Sequence, residues 1–163
     1  MILIDTSIYI EAAEKEDVRE LIEAISKKSF VLSCDPIEKE IDEASDFLRG
    51  INKKEDSEKL KGIYNEIKQG KINLTDRIKN LRDQYINAAN HLSKDQKKWI
   101  TNDLLIVASA SVAGVNHILS LNRKTMAAYQ MVEIYTKINK LNGYKTPAFI
   151  TTIEGLVQFL QSL

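Results

Sequence analysis

One cysteine, Cys34, and two histidines, His91 and His117, are the only thiol and imidazole groups in this 163-residue chain. That scarcity excludes a disulfide framework and a thiolate zinc cluster, and the histidines are too far apart to form a helix-borne pair. Any bound metal must therefore be held by oxygen. A bilayer-spanning run is also missing: the longest nearly apolar stretch, Leu104 to Val115, is too short and reads as a buried helix. Met1 leads straight into Ile2-Leu3-Ile4 with neither a basic leader nor a small-residue cleavage site, so we expect no secretory signal and a cytoplasmic location. Net charge is absent too, with 23 basic and 23 acidic residues.

The remaining composition, 44% apolar and 28% charged, is that of a folded globular chain. Its length predicts one domain, residues 1–163, with a substantial core. The charge is unevenly spread. Residues 1–50 carry 13 acids against 6 bases, and residues 51–100 carry 12 bases against 7 acids. This asymmetry suits an acidic pocket beside a polyanion-binding surface; otherwise the charges mark solvated helix faces. On the first reading Lys53, Lys54, Lys59 and Lys61 are expected to contact nucleic acid.

Short apolar runs alternate with helical periodicity. Ile2-Leu3-Ile4 reads as a buried strand, Ser7 to about Ser26 as a helix, and Phe30-Val31-Leu32 as a second strand. Pro36 opens a helix reaching about Leu48, with Gly50 as its cap. Residues 51–98 are expected to hold two charged helical stretches separated by Gln69-Gly70-Lys71. In that segment Tyr64, Leu81 and Tyr85 are candidates for a dimer surface. Thr101 is expected to cap the apolar helix Leu104–Ala113, which Gly114 closes. We expect Trp99, directly before that helix, to pack into the core rather than offer a base-stacking platform. His117–Ser120 reads as a third strand, Thr125 to about Leu141 as a helix, Ala148–Ile150 as a strand, and Thr152 onward as the last helix. The pattern predicts an α/β fold: a central parallel sheet with helices on both faces, and its binding crevice beyond the carboxyl ends of the strands.

Acidic residues converge on that edge. Asp5 ends the first strand, where it can cap a helix or do chemistry, and Asp103 lies in the first turn of the apolar helix. In the helix after the second strand, Ile37, Ile41, Ala44 and Leu48 form the apolar stripe. At about 100° per residue Glu40 lies about 70° from the stripe's centre and Glu38 about 90°, so Glu40 is the more inward, with Glu38 the alternative. Asn122 follows the third strand on the same edge. Ser7 and Ser120 stand where they can donate to metal-bound water, phosphate or carboxylate; an ordinary turn contact is the other reading for Ser7. Three carboxylates and an amide placed together repel unless compensated, and a hard dication, Mg²⁺ or Mn²⁺, would relieve them. Metal-dependent phosphoryl chemistry is the expectation.

Three stretches resemble the PIN nuclease family, which includes the VapC-like toxin ribonucleases. Ile2-Leu3-Ile4-Asp5-Thr6-Ser7 is similar to its strand followed by Asp-Thr-Ser. Ser33 to Ile41, with Glu40-Ile41, resembles its Glu-Leu segment. Asn102-Asp103-Leu104-Leu105-Ile106-Val107-Ala108-Ser109-Ala110, running on to Gly114-Val115, resembles its third and most specific stretch. The resemblance implies a PIN-like three-layer α/β/α fold into which the charged segment 51–98 is inserted. It also implies a Mg²⁺- or Mn²⁺-dependent endoribonuclease whose metal ligands are Asp5, Glu40 and Asp103. Homodimers and, in the toxin branch, a small antitoxin protein are the partners it implies besides RNA. Asn122 departs from it, occupying the place of the family's last acid, which makes a PIN-like module that binds RNA or protein without cutting the alternative reading. A haloacid dehalogenase-like phosphatase would need a second Asp two residues after Asp5, where this chain has Ser7.

Overall fold

The apolar triplet Ile2–Ile4 forms the central strand β1, pairing in parallel with β2 (Val31–Cys34) on one side and β4 (His117–Leu119) on the other. The computed structural model describes residues 1–163. Two further parallel strands, β3 (Gly70–Ile72) and β5 (Ala148–Ile150), complete a five-stranded sheet of order β3-β2-β1-β4-β5. The chain builds outward from β1 through β2 to β3, then crosses back to add β4 and β5. The order therefore reverses between β1 and β4, where an open α/β sheet leaves its crevice at the carboxyl edge.

Nine helices flank the sheet: α1 (Thr6–Glu14), α2 (Glu16–Lys28), α3 (Asp35–Gly50), α4 (Lys54–Ile67), α5 (Asp76–Ala88), α6 (Lys94–Trp99), α7 (Thr101–Val112), α8 (Tyr129–Asn142) and α9 (Ile153–Ser162). Helices α1 to α4 pack among themselves and α9 joins them against α2; α5 packs on α7 and α8, and α6 on α7. These are the outer layers of a three-layer α/β/α fold, as expected. Their apolar sides and the sheet form one cluster of 36 buried residues. At about 25 cal/mol per Å² of buried apolar surface, that cluster is the main stabilising term. No helix is long and apolar enough to cross a membrane.

Several local expectations are corrected. The helix read from Ser7 to Ser26 is two helices, because Lys15 adopts extended backbone (φ −125°, ψ 117°) and the acids Glu16 and Asp17 open a new N-terminus. Gly50 is the last residue of α3 rather than its cap. Thr101 begins α7 without capping it, its hydroxyl donating to the Lys97 carbonyl. Residues 123–127 form turns, and α8 starts only at Tyr129. Gly114 does close α7: it takes φ +69°, and Val115 N–H reaches back to the Ala110 carbonyl at 2.9 Å.

The segment 51–98 is not purely helical. Its Gln69-Gly70-Lys71 break leads into the edge strand β3, and a Cβ on Gly70 would come within 2.9 Å of the Leu32 side chain, so glycine lets Leu32 lie close against β3. A side chain at residue 70 would thus have to displace only the Leu32 methyl and the Phe30 ring, and Lys71 ties this strand to α3 through Asp35 and Glu38. Tyr64, Leu81 and Tyr85 are buried, so they pack the core and form no dimer surface. Trp99 is the opposite case: expected in the core, it is 85% exposed at the end of α6, while Ile100 takes the inward position beside it.

Candidate functional site

Four elements deliver their ends to the β1/β4 switch point. Asp5 follows β1, Glu40 sits in the second turn of α3, Asp103 in the first turn of α7, and Asn122 in the loop after β4. Together with Thr6, Ser7, Ile10, Glu43, Ala44 and Leu121 they line one open cleft of about 530 Å³. All four candidates are thus brought together, although nearly 120 residues separate the first from the last.

Asp5 is nearly fully buried. Its Oδ2 accepts from Ser7 Oγ at 2.6 Å, from Ser120 Oγ at 2.8 Å and weakly from Ser7 N–H at 3.4 Å, the last as the cap of α1. The capping and functional readings of this residue are therefore compatible. Each serine oxygen in turn accepts a backbone N–H from the loop after β4: Leu121 to Ser7 and Asn122 to Ser120, both at 3.0 Å. Ser7 does more than turn a corner. The two hydroxyls stitch β1 to β4 and fix the Asp5 carboxylate, leaving Oδ1 without a protein donor.

Glu40 Oε2 accepts from Thr6 Oγ1 at 2.8 Å, and Oε1 from Asn102 Nδ2 at 3.4 Å. Burial raises its pKa above the usual carboxylate range; the Thr6 bond opposes the shift, and the charges of Asp5 and Asp103 add to it. Glu38, the alternative, belongs elsewhere: Lys71 and Lys68 engage it and hold its pKa down. Asp103 is also raised, first by burial and then by Asp5, against hydrogen bonds from Thr125 and Asn122. Asn122 Nδ2 donates to Asp103 Oδ2 at 3.1 Å, and the Thr125 hydroxyl reaches the same oxygen. Thr125 also lies 2.7 Å from Asn122 Oδ1, but its single proton is best spent on the charged acceptor.

Sequence reasoning missed Thr6, Asn102 and Thr125. Thr6 and Asn102 flank predicted acids inside the motif stretches, which was the available signal; Thr125 had none.

No three His, Cys, Asp or Glu side chains close a metal cage. The donor set nevertheless suits a hard cation: all ligands are oxygen, Asp5 Oδ1 and Asp103 Oδ1 are free of protein donors, and two carboxyls are raised first by burial and then by neighbouring negative charge, which a cation would relieve. Mg²⁺ in particular is commonly held by one or two carboxylates with retained waters rather than by a closed protein cage.

The basic residues expected to meet nucleic acid are mostly engaged. Lys54 pairs with Glu58, Lys59 with Glu16 and Lys61 with Asp42, leaving Lys53 alone of the four without a carboxylate in reach.

Comparisons with protein families, with curated proteins and with solved structures give no match to this chain.

Proposed function

We propose that the chain is a divalent-metal-dependent endonuclease acting on RNA, with Asp5, Glu40 and Asp103 as its acidic centre. The carrying observation is the convergence of these three acids at the sheet's switch point, with Glu40 and Asp103 both raised by burial and by neighbouring negative charge. The choice of RNA draws on the resemblance of the three motif stretches to PIN nucleases.

Asp5, Asp103 and Glu40 would hold the cation, which when bound supplies Lewis acidity and charge neutralisation to phosphodiester hydrolysis. The chain's own residues prepare that chemistry. Ser7 and Ser120 fix Asp5 in one rotamer. Glu40, its pKa raised by burial and its Oε2 steadied by Thr6, would be the carboxylate that accepts a proton from an attacking water. Asp103 is turned by Thr125 and Asn122 so that Oδ1 is left for the cleft.

One observation favours a second reading, an RNA-binding module that does not cut. The Asn122 amide satisfies Asp103 from within the protein, doing part of what a cation would do.

The test is thermal unfolding across a Mn²⁺ titration together with cleavage of a single-stranded RNA. Saturation should stabilise the wild type, about 2.7 kcal/mol at a hundred times Kd, and support cleavage. Asp5→Asn combined with Asp103→Asn should lose both. A double variant that responds to Mn²⁺ as the wild type does would remove the site; metal binding without cleavage would favour the binding module.

A further inference from the structure

The chain's one tryptophan stands beside the acidic cleft and exposes 85% of its surface, more than any other large apolar side chain. Exposing an indole leaves apolar surface in water that burial would stabilise. Trp99 borders a groove of about 390 Å³ between the α6–α7 junction and the turn before α8. Its floor is Leu92, Ile100, Ala128 and Met131, and its polar rim is His91, Gln96, Lys124, Thr125 and Gln130. No carboxylate lines it. The groove meets the acidic cleft at Thr125, whose hydroxyl donates to Asp103.

Charge sets this region apart from the stretch Lys53–Lys71. Of the six lysines from Lys53 to Lys71, five are matched to carboxylates. Lys124 lines the groove, and neither it nor its chain neighbour Arg123, nor Lys94, Lys97 and Lys98 on the adjoining α6, has a carboxylate within 4.0 Å. An exposed indole, the Gln130 amide with the Gln96 NH₂ (its oxygen being held by Ser93 N–H) and unmatched cations form the combination that holds single strands: stacking on an aromatic face with the phosphates on a basic track.

We propose that this groove is a nucleobase subsite for a single-stranded polynucleotide, in which one base stacks on Trp99 and its phosphates run over Lys124 and Arg123 toward the acidic cleft. The inference rests on the nuclease reading for its direction, but its test does not. Because Trp99 is the only tryptophan, fluorescence excited to the red of tyrosine absorption reports on this groove alone.

The experiment titrates the full chain, in EDTA so that no metal chemistry intervenes, with short oligouridylate and oligoadenylate and with their deoxy counterparts. Saturable quenching of Trp99 is expected, weakening as salt rises. Trp99→Ala should weaken binding roughly tenfold by anisotropy, while Trp99→Phe keeps most of it. The alanine variant should melt at the wild-type temperature, since so little of the side chain is buried. Arg123→Gln with Lys124→Gln should flatten the salt dependence by roughly 0.7 for each phosphate no longer neutralised. Lys54→Gln, Lys59→Gln and Lys61→Gln together should leave affinity and salt slope as they were. Quenching by both sugars assigns the groove to base and phosphate, and quenching by RNA alone adds the 2′-hydroxyl; both support the subsite. Strands that bind without changing Trp99 fluorescence, and equally well to Trp99→Ala, overturn it, as does an acidic peptide that quenches where no polynucleotide does. Quenching without cleavage in Mn²⁺ would remove the nuclease reading alone. Cleavage that needs Asp5 while Trp99 stays silent would remove the groove alone.

Discussion

Ser120 Oγ donates to Asp5 Oδ2 at 2.8 Å across 115 positions of sequence, and accepts the Asn122 N–H in return. The bond joins the carboxyl ends of β1 and β4 at the place where the strand order reverses. Both partners are buried, so the hydroxyl is simultaneously a structural tie and the support of a candidate ligand.

Ser120→Ala should therefore damage stability and metal response together. It removes a charge-assisted bond and leaves the Asn122 N–H without its acceptor, a loss of about 1–3 kcal/mol. At roughly 2–4 °C per kcal/mol for a chain of this size, thermal unfolding should show it clearly. Ser120→Thr, which retains the hydroxyl, should recover part of the loss. An alanine variant with wild-type melting temperature and wild-type Mn²⁺ response would show that the tie does not support the site.

Glu40 and Asp103 give a pH signature of known sign. Their folded-state pKa values are raised, so each binds its proton more tightly in the folded chain than in the unfolded one. Without metal, their contribution to stability must fall as pH rises from the ordinary carboxylate range through the raised values, and is fully relieved only below that range. Asp35 and Glu38, lowered by Lys71, act in the opposite sense, contributing above the ordinary range and losing that contribution on acidification. Glu40→Gln should raise the metal-free melting temperature at pH 7, by about 2–4 °C for each kcal/mol of relieved desolvation and repulsion, and have little effect at pH 4. It should also reduce the gain from Mn²⁺. Melting curves in EDTA at both pH values decide it: a lower melting temperature at pH 7 would mean that the carboxylate is already compensated.

The sheet was legible where its strands are apolar. Ile2–Ile4 stands out because the central parallel strand is covered on both faces, and Phe30–Leu32 and His117–Ser120 beside it nearly so. The edge run Ala148–Ile150 is only partly buried and was legible from its apolar composition. The fifth strand, Gly70-Lys71-Ile72, was hidden: at an edge it needs neither continuous apolarity nor β-branching, and its glycine, packed against Leu32, reads in sequence as a break. Periodicity placed Glu40 ahead of Glu38, and the structure separates them by partner, Thr6 and Asn102 for one and two lysines for the other. Trp99 was misread because neighbouring helix α7 is so apolar. At the α6–α7 junction only one of two adjacent residues can point inward, and that residue is Ile100. Thr125 could not have been found, since its role depends on a turn closing back over Asp103.

Asn122→Asp tests whether the amide stands in for positive charge. At present Nδ2 donates to Asp103 Oδ2 at 3.1 Å, while Oδ1 accepts from Thr125 N–H at 3.3 Å. An aspartate would keep the second bond and turn the first into a carboxylate–carboxylate contact. Two unit charges at that separation repel by about 5 kcal/mol at an effective dielectric of 20, before solvent and side-chain rotation reduce it. The metal-free variant should therefore melt below the wild type at pH 7. On acidification the difference should shrink, because the pair can then share a proton. With Mn²⁺ the order should close or reverse, the added charge strengthening the field on the cation, and cleavage at low Mn²⁺ should rise if occupancy limits turnover. Melting temperature and RNA cleavage across one Mn²⁺ titration, with Asp5→Asn as the blank, read all of these effects. A variant with unchanged metal-free stability and unchanged Mn²⁺ response would place residue 122 outside the field of the acidic centre, and would leave Thr125 as the group that compensates Asp103.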